Sequence, residues 1–269
     1  MNYQVFDVAA EGSVGNPTLT TYLIDTPEGL FIKERPMVII CPGGGYNHLS
    51  VREGEFLALQ FAAMGCHAAV LRYSVSPAVY PTQLTELAKA VALIRKNAED
   101  WCVKADGIFI QGSSAGGHLA ASYGCFWKKE MLSAAAGVEP EMLRPNGLIL
   151  SYPVITSGKY AHKGSFEMLL GVRHAELLEE MSLEKQVNAD TPRTFLWHTF
   201  GDQTVPVENS MLFAWALREQ GIPFESHIYP KGCHGLGLGN ELTCSEGGKE
   251  LQPEVTTWIS LAESFIKNS

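Results

Sequence analysis

The chain has 269 residues, 46% of them hydrophobic and 18% charged, with 29 acidic against 20 basic side chains and a formal charge of −9. That apolar share excludes a disordered chain. The acidic excess disfavours nucleic acid as a partner, since phosphates are held by clustered Lys and Arg.

Taken in chain order, the segments around Val5 and over 18–24 alternate apolar and polar residues and are expected to form antiparallel edge strands. Met37-Val38-Ile39-Ile40-Cys41 is a short apolar run between Pro36 and Pro42. Similar runs recur over 68–71, 107–110, 148–150 and 195–197. Runs apolar throughout suit central strands of a parallel sheet covered on both faces. Between them lie segments of helical period: Leu84, Leu87, Val91 and Ile94 form one stripe, and Val255, Trp258, Ile259, Ala262, Phe265 and Ile266 form another. Alternating strands and helices predict an α/β fold with a mostly parallel sheet, and no repeat or linker divides 1–269, so one domain is expected. The polar, irregular stretch 156–191 is too long for a simple connection and is expected to form a cap or lid.

Charged residues interrupt every apolar run short of the roughly 18–20 residues that cross a bilayer, so no membrane partner is expected. The N-terminus has neither a basic segment nor a following apolar one, so no secretory signal is expected. Lys128-Lys129, the one short basic cluster, reads as a solvated helix end. The six cysteines include no C-x-x-C pair and read as thiols of a reducing compartment, which points to the cytoplasm. No pairing of His48, His67, His162 and His174 makes a metal site.

Chemistry concentrates in Ile108-Phe109-Ile110-Gln111-Gly112-Ser113-Ser114-Ala115-Gly116-Gly117-His118: a buried strand, then G-x-S-x-G, then a helix start. A serine on so sharp a strand-to-helix turn needs small neighbours two residues either side, and Gly112 and Gly116 supply them. The turn lifts the Ser114 hydroxyl over a helix N-terminus, where developing negative charge is stabilised. A serine hydroxyl needs a base, and for this turn an acid and a histidine should follow at the ends of later strands. Asp202 follows the run 195–197 and His234 follows His227-Ile228-Tyr229, giving the required order Ser114, Asp202, His234.

Competing residues have simpler roles. His198 reads as a buried, hydrogen-bonded histidine, His227 opens a strand, and His118 packs one turn into the helix behind Ser114. Asp190 and Glu208 follow a strand less directly than Asp202, whose own rival role is to cap the helix starting near Val207. Acyl transfer also needs backbone N–H groups aimed at the tetrahedral oxyanion. Ala115 supplies one, and the loop Gly43-Gly44-Gly45, after the strand 37–41, offers others. That loop lacks the spacing of a phosphate cradle.

With these residues placed, the chain resembles an α/β-hydrolase of the esterase/lipase superfamily, in particular the small bacterial acetyl xylan esterase and feruloyl esterase-like group. The resembling stretches include Cys41-Pro42-Gly43-Gly44-Gly45-Tyr46, Leu71-Arg72-Tyr73-Ser74, Gly112-Ser113-Ser114-Ala115-Gly116-Gly117-His118, Ser151-Tyr152-Pro153-Val154-Ile155 and Cys233-His234-Gly235. The resemblance implies Ser114, Asp202 and His234 as a catalytic triad. Related hormone-sensitive-lipase-like esterases open the oxyanion loop with His-Gly where this chain has Pro42-Gly43, so the donors stay open among Gly43, Gly44 and Gly45, with Gly44 and Ala115 preferred. It further implies a cofactor-free serine carboxylesterase acting on a small-molecule ester, with acetyl groups on sugars or xylo-oligosaccharides favoured. Tyr46, Tyr73 and Tyr152 are candidate substrate-wall residues. The rivals are a feruloyl or aryl esterase, a formamidase of the same fold, and an inactive ligand-binding relative; a homodimer is left open.

Overall fold

The computed structural model describes residues 1–268. Among these residues there are eight strands: β1 (Asn2–Asp7), β2 (Thr18–Leu23), β3 (Arg35–Cys41), β4 (His67–Arg72), β5 (Val103–Ser113), β6 (Gly147–Ser151), β7 (Thr194–Thr199) and β8 (Phe224–Tyr229). They form one sheet in the order β1-β2-β4-β3-β5-β6-β7-β8. β1 and β2 pair antiparallel with each other, and β2 pairs antiparallel with β4. From β4 to β8 every pairing is parallel. Only β1 of the two N-terminal strands is an edge. β2 lies inside the sheet and is mostly buried, because β1 covers its outer side. β8 begins at Phe224, so His227 lies within the strand rather than opening it.

Side-chain alternation explains why the parallel strands carry unbroken apolar runs. Met37, Ile39, Cys41, Ile108, Ile110, Leu148, Leu150 and Leu196 join a core on one face of the sheet. Their neighbours Val38, Ile40, Phe109, Ile149, Phe195 and Trp197 join a second core on the other. Both faces are covered, so neither parity can be polar.

The helices are α1 (Glu55–Ala63), α2 (Thr82–Lys96), α3 (Ala115–Phe126), α4 (Glu130–Ala136), α5 (Lys163–Leu170), the short α6 (His174–Leu177), α7 (Glu208–Glu219) and α8 (Trp258–Lys267). Helices α2, α3 and α7 pack into the first core through Leu84, Leu87, Val91, Leu119, Phe213 and Leu217. Helices α1 and α8 pack into the second through Leu57, Phe61, Trp258, Ala262 and Phe265. The stretch 156–191 carries α5, α6 and single 3-10 turns, and no strand. Its Phe166, Leu169, Leu170, Leu177, Met181 and Leu183 are buried in the first core, so it is anchored along its length. Among the described residues, no helix is long and apolar enough to cross a membrane.

The turn from β5 to α3 is the tightest place in the fold. Ser114 sits at φ 54°, ψ −120°, in the left-handed region that L-residues rarely adopt. A β-carbon at Gly112 would lie 2.1 Å from the Gly116 carbonyl oxygen, and one at Gly116 would lie 2.0 Å from that of Cys41. The glycines are therefore required by backbone packed against backbone, which cannot yield as a flexible side chain can. Gly116→Ala should cost about 3 kcal/mol of stability, at the upper end for overpacking. Calorimetry checks this, and an unchanged melting temperature would show that the turn tolerates a β-carbon.

Candidate active site

The parallel strands deliver their following loops to one edge of the sheet, their carboxyl ends, where open α/β sheets bind ligands. Ser114 follows β5, Asp202 follows β7 and His234 follows β8, while the glycine loop Gly43-Gly44-Gly45 follows β3. The Ser114 hydroxyl donates to His234 Nε2 at 2.7 Å across 120 residues of sequence. His234 Nδ1 donates to Asp202 Oδ2 at 2.6 Å. The structure thus brings together all three residues singled out from their order in the chain.

Asp202 serves two functions with its two oxygens. Oδ1 accepts the N–H groups of Thr204 (2.9 Å) and Val205 (3.0 Å), tightening the turn ahead of α7. Oδ2 holds His234, with His198 Nε2 3.3 Å away. Burial of the Asp202 carboxyl favours its neutral form, yet the hydrogen bonds from His198, His234 and Val205 outweigh that and hold its pKa well below the usual carboxylate range. Asp202 does not cap α7, whose N-cap is Val207 without a side-chain cap bond; it braces the preceding turn with one oxygen and holds His234 with the other. His198 is fully buried, its Nε2 donating to Val205 O and its Nδ1 accepting from Ser210. Asp190 is remote, paired with Lys128 at the surface.

The glycine loop is held by its surroundings. Gly44 has φ 125°, and a β-carbon there would lie 2.0 Å from the His48 carbonyl oxygen. Tyr73 donates to Pro42 O at 2.6 Å, and Ser50 N–H donates to Gly43 O at 2.9 Å. The three glycines are not alike: Gly43 N–H is committed to the buried carboxylate of Glu53 (Oε2, 2.9 Å). Among the described residues, the N–H groups of Gly44, Gly45 and Ala115 meet no protein acceptor. The carbonyl of Gly43 is tied back by Ser50, so in a trans peptide the Gly44 N–H points the opposite way.

A cavity of about 500 Å³ opens over Ser114 and His234. Its lining includes Gly44 and Gly45, the polar side chains of Asn47, His48, Ser50, Arg52, His162 and Thr204, and Met168. No phenyl, phenol or indole ring lines it among the described residues. Tyr46, Tyr73 and Tyr152, expected as wall residues, are instead 1%, 2% and 1% exposed and pack beneath the site. Tyr46 and Tyr152 take left-handed backbone (φ 60° and 38°), which redirects their rings, and each hydroxyl is used internally. Tyr46 donates to His118 Nδ1, Tyr73 to Pro42 O and Tyr152 to Glu53 Oε1.

His48, Arg52 and His162 line the cavity without having been singled out as wall residues. His162 and Met168 come from the stretch 156–191, so this stretch forms part of the cavity wall. His162 pairs with Ser165 through Nδ1. Burial and then the neighbouring His234 lower its pKa. His118 has a positioning part: its Nε2 donates to Met181 O, joining α3 to the stretch 156–191. Glu53 also escaped notice, although its place close after the glycine loop was a usable signal. No group of three His, Cys, Asp or Glu side chains among the described residues could hold a metal ion.

A sharp serine-bearing turn after β5, an aspartate after β7 and a histidine after β8, hydrogen-bonded in series on a mostly parallel sheet, together define an α/β-hydrolase fold. Residues 26–217 match the family model described as BD-FAE, and the chain belongs to that family. It is 41% identical over 215 residues to a protein named endo-1,4-beta-xylanase B from Butyrivibrio fibrisolvens, covering 77% of this chain and 33% of that one. It is 28% identical over 232 residues to an acetylxylan esterase from Xylanibacter ruminicola, covering 84% and 45%. The chain thus spans between a third and a half of the length of these two relatives. The crystal structure of an acetyl ester-xyloside bifunctional hydrolase from Caldicellulosiruptor lactoaceticus superposes with a TM-score of 0.81 at 36% identity, covering 94% of this chain and 88% of that one.

Burial drives the His118 pKa down to about 4, against a partial rise from its bond to Met181 O. Between about pH 6.5 and 4 the unfolded chain therefore binds a proton that the folded chain refuses, and stability falls with pH by up to about 1.4 kcal/mol per unit from this residue. Removing it in His118→Gln should flatten that part of the curve while the slopes from His67 and His162, also lowered by burial, persist. Urea titrations of both proteins at pH 7 and pH 5 check this. Equal losses of stability on acidification would contradict it.

Proposed function

We propose that this chain is a serine carboxylesterase that removes short acyl groups, foremost acetyl, from hydroxyls of sugars such as xylo-oligosaccharides. The observation that carries the reading is the continuous pair of hydrogen bonds, 2.7 Å from Ser114 to His234 and 2.6 Å from His234 to Asp202, at the base of an open cavity.

In this reading His234 Nε2 accepts the Ser114 proton as Oγ attacks the ester carbonyl. Asp202 keeps the imidazole in the tautomer whose Nε2 can accept and stabilises the cation that forms. The oxyanion is met by the N–H groups of Ala115 and Gly44, with Gly45 adjacent. Each preorganised donor of this kind contributes about 3–4 kcal/mol of transition-state stabilisation. His234 then returns its proton to the departing alcohol, and water activated by the same imidazole releases the acid from the acyl-serine. No step calls for a cofactor.

A hydroxyl-rich alcohol suits a cavity lined by Asn47, His48, Ser50, Arg52, His162 and Thr204, all able to hydrogen-bond to sugar oxygens. An aromatic acyl group would find imidazole rings but no phenyl, phenol or indole ring among the described lining residues. Similarity to proteins named as a xylanase and an acetylxylan esterase supports an acetyl ester of xylan or its fragments. Six free cysteines support a reducing, cytoplasmic setting.

Ser114→Ala should lower kcat on p-nitrophenyl acetate by about 10⁴–10⁶-fold, as in other triads, without unfolding the protein. Near-wild-type turnover after subtraction of background hydrolysis would remove Ser114 from the reaction. Asp202→Asn should lower kcat by about 10⁴-fold through the wrong histidine tautomer. A rate within tenfold of wild type would mean that Asp202 only shapes its turn. A substrate panel should rank acetylated xylo-oligosaccharides above longer acyl esters, feruloyl esters and formamides by kcat/KM, and the reverse ranking would reassign the substrate.

A further inference from the structure

Glu53 is 2% exposed and stands at the end of a 3-10 turn (Val51–Glu53) immediately after the glycine loop. Its carboxylate faces two elements of the site at once. Oε2 accepts Gly43 N–H at 2.9 Å, and Oε1 accepts the Tyr152 hydroxyl at 2.7 Å. The Tyr152 oxygen in turn accepts Gly237 N–H at 2.9 Å, three residues beyond His234. The Tyr152 ring meets the His234 ring edge to face, centroids 5.1 Å apart. The far side of that peptide stretch is held as well, since Trp258 Nε1 donates to Gly237 O at 3.0 Å.

We infer that Glu53 is a positioning residue for the esterase reaction, holding the oxyanion loop and the histidine loop in mutual register through Gly43 on one side and Tyr152–Gly237 on the other. The inference rests on the reading of Ser114, His234 and the Gly44 amide given above. A negative charge placed so near an oxyanion site would oppose catalysis if left free to face it. Here both oxygens are engaged by donors, so what the carboxylate supplies is geometry. Tying down Gly43 N–H and, through Ser50, Gly43 O leaves the next amide, Gly44, with one direction to point. Misplacement of catalytic groups by about 1 Å costs on the order of 10²-fold in rate, so a bond that sets two loops against each other acts on the transition state more than on substrate binding.

The isosteric variants Glu53→Gln and Tyr152→Phe each break one arm. The Gln oxygen can still accept from Gly43, but its NH2 meets the Tyr152 hydroxyl as a donor, which removes the charge-assisted bond and turns the Tyr152 proton away, while the Phe ring keeps its contact with His234. Each should lower kcat on p-nitrophenyl acetate by about 10–100-fold with KM within about threefold. A trifluoromethyl ketone that mimics the tetrahedral adduct should lose affinity in parallel with kcat/KM. The double variant should lose less than the product of the single losses, because both arms serve one linkage. In the wild-type protein, the Gly43 and Gly237 amides should be protected from hydrogen exchange, a readout that needs no variant to fold.

The inference is overturned by a folded variant, counted by active-site titration, whose kcat lies within twofold of wild type. It is equally overturned by a rise in KM alone, or by fast exchange at both amides. Titration of the wild-type protein with a phosphonate ester, and its failure with Ser114→Ala, tests the esterase reading separately.

Discussion

Everything at the site depends on Ser114 being held where a serine backbone does not readily go. A residue with a β-carbon at φ 54° costs on the order of 1–3 kcal/mol, and the surrounding structure must supply more than that. Three backbone hydrogen bonds do so: Ser114 N–H to Ser151 O, Val154 N–H to Ser114 O, and His118 N–H to Ser114 O. The first two fasten the turn to the end of β6 and the third starts α3. Gly112 and Gly116 then allow the β5 strand, the helix and the end of β3 to approach within distances that no side chain permits. The same compression brings Gly43 against Ser114, so the serine and the loop that faces it are placed by one packing constraint.

Around that turn, polar groups are buried in quantity and nearly all are satisfied, which in a low-dielectric interior makes them strong and directional. Asp202 stays ionised because donors surround it, in spite of its burial. Glu53, Tyr152, Tyr73, Tyr46 and His118 form an under-layer whose bonds run between loops that are distant in sequence. Bonds of this kind, made between loops far apart in sequence, restrain those loops against one another. A preorganised site does not have to reorient its dipoles as charge develops, and that is the source of most electrostatic catalysis.

The sheet and the stretch 156–191 divide the work of shaping the cavity. Strands β3, β5, β7 and β8 carry the glycine loop, Ser114, Asp202 and His234 beyond their carboxyl ends, while the loop after β3 and the start of α5 supply much of the wall. Because Phe166, Leu169 and Met181 are buried in the core, the wall formed by His162 and Met168 is part of the folded body. That wall mixes the polar side chains of Asn47, His48, Ser50, Arg52 and His162 with apolar surface that includes Met168.

By itself the sequence determined the order and type of the elements, the sharp turn at Ser114 and the succession of Ser114, Asp202 and His234. These depend on local sterics and on periodicity, which a chain displays in its own spacing. Only the tertiary structure decided that Tyr46, Tyr73 and Tyr152 lie under the site instead of lining it, since two of them adopt backbone angles that residue type disfavours and that long-range contacts impose. It likewise decided that Gly43 gives its N–H to Glu53 while Gly44 keeps its own, and that His162 reaches the cavity. Three adjacent glycines look alike in a sequence. What separates them is the direction of each peptide plane, and that direction is set by partners contributed from elsewhere in the chain.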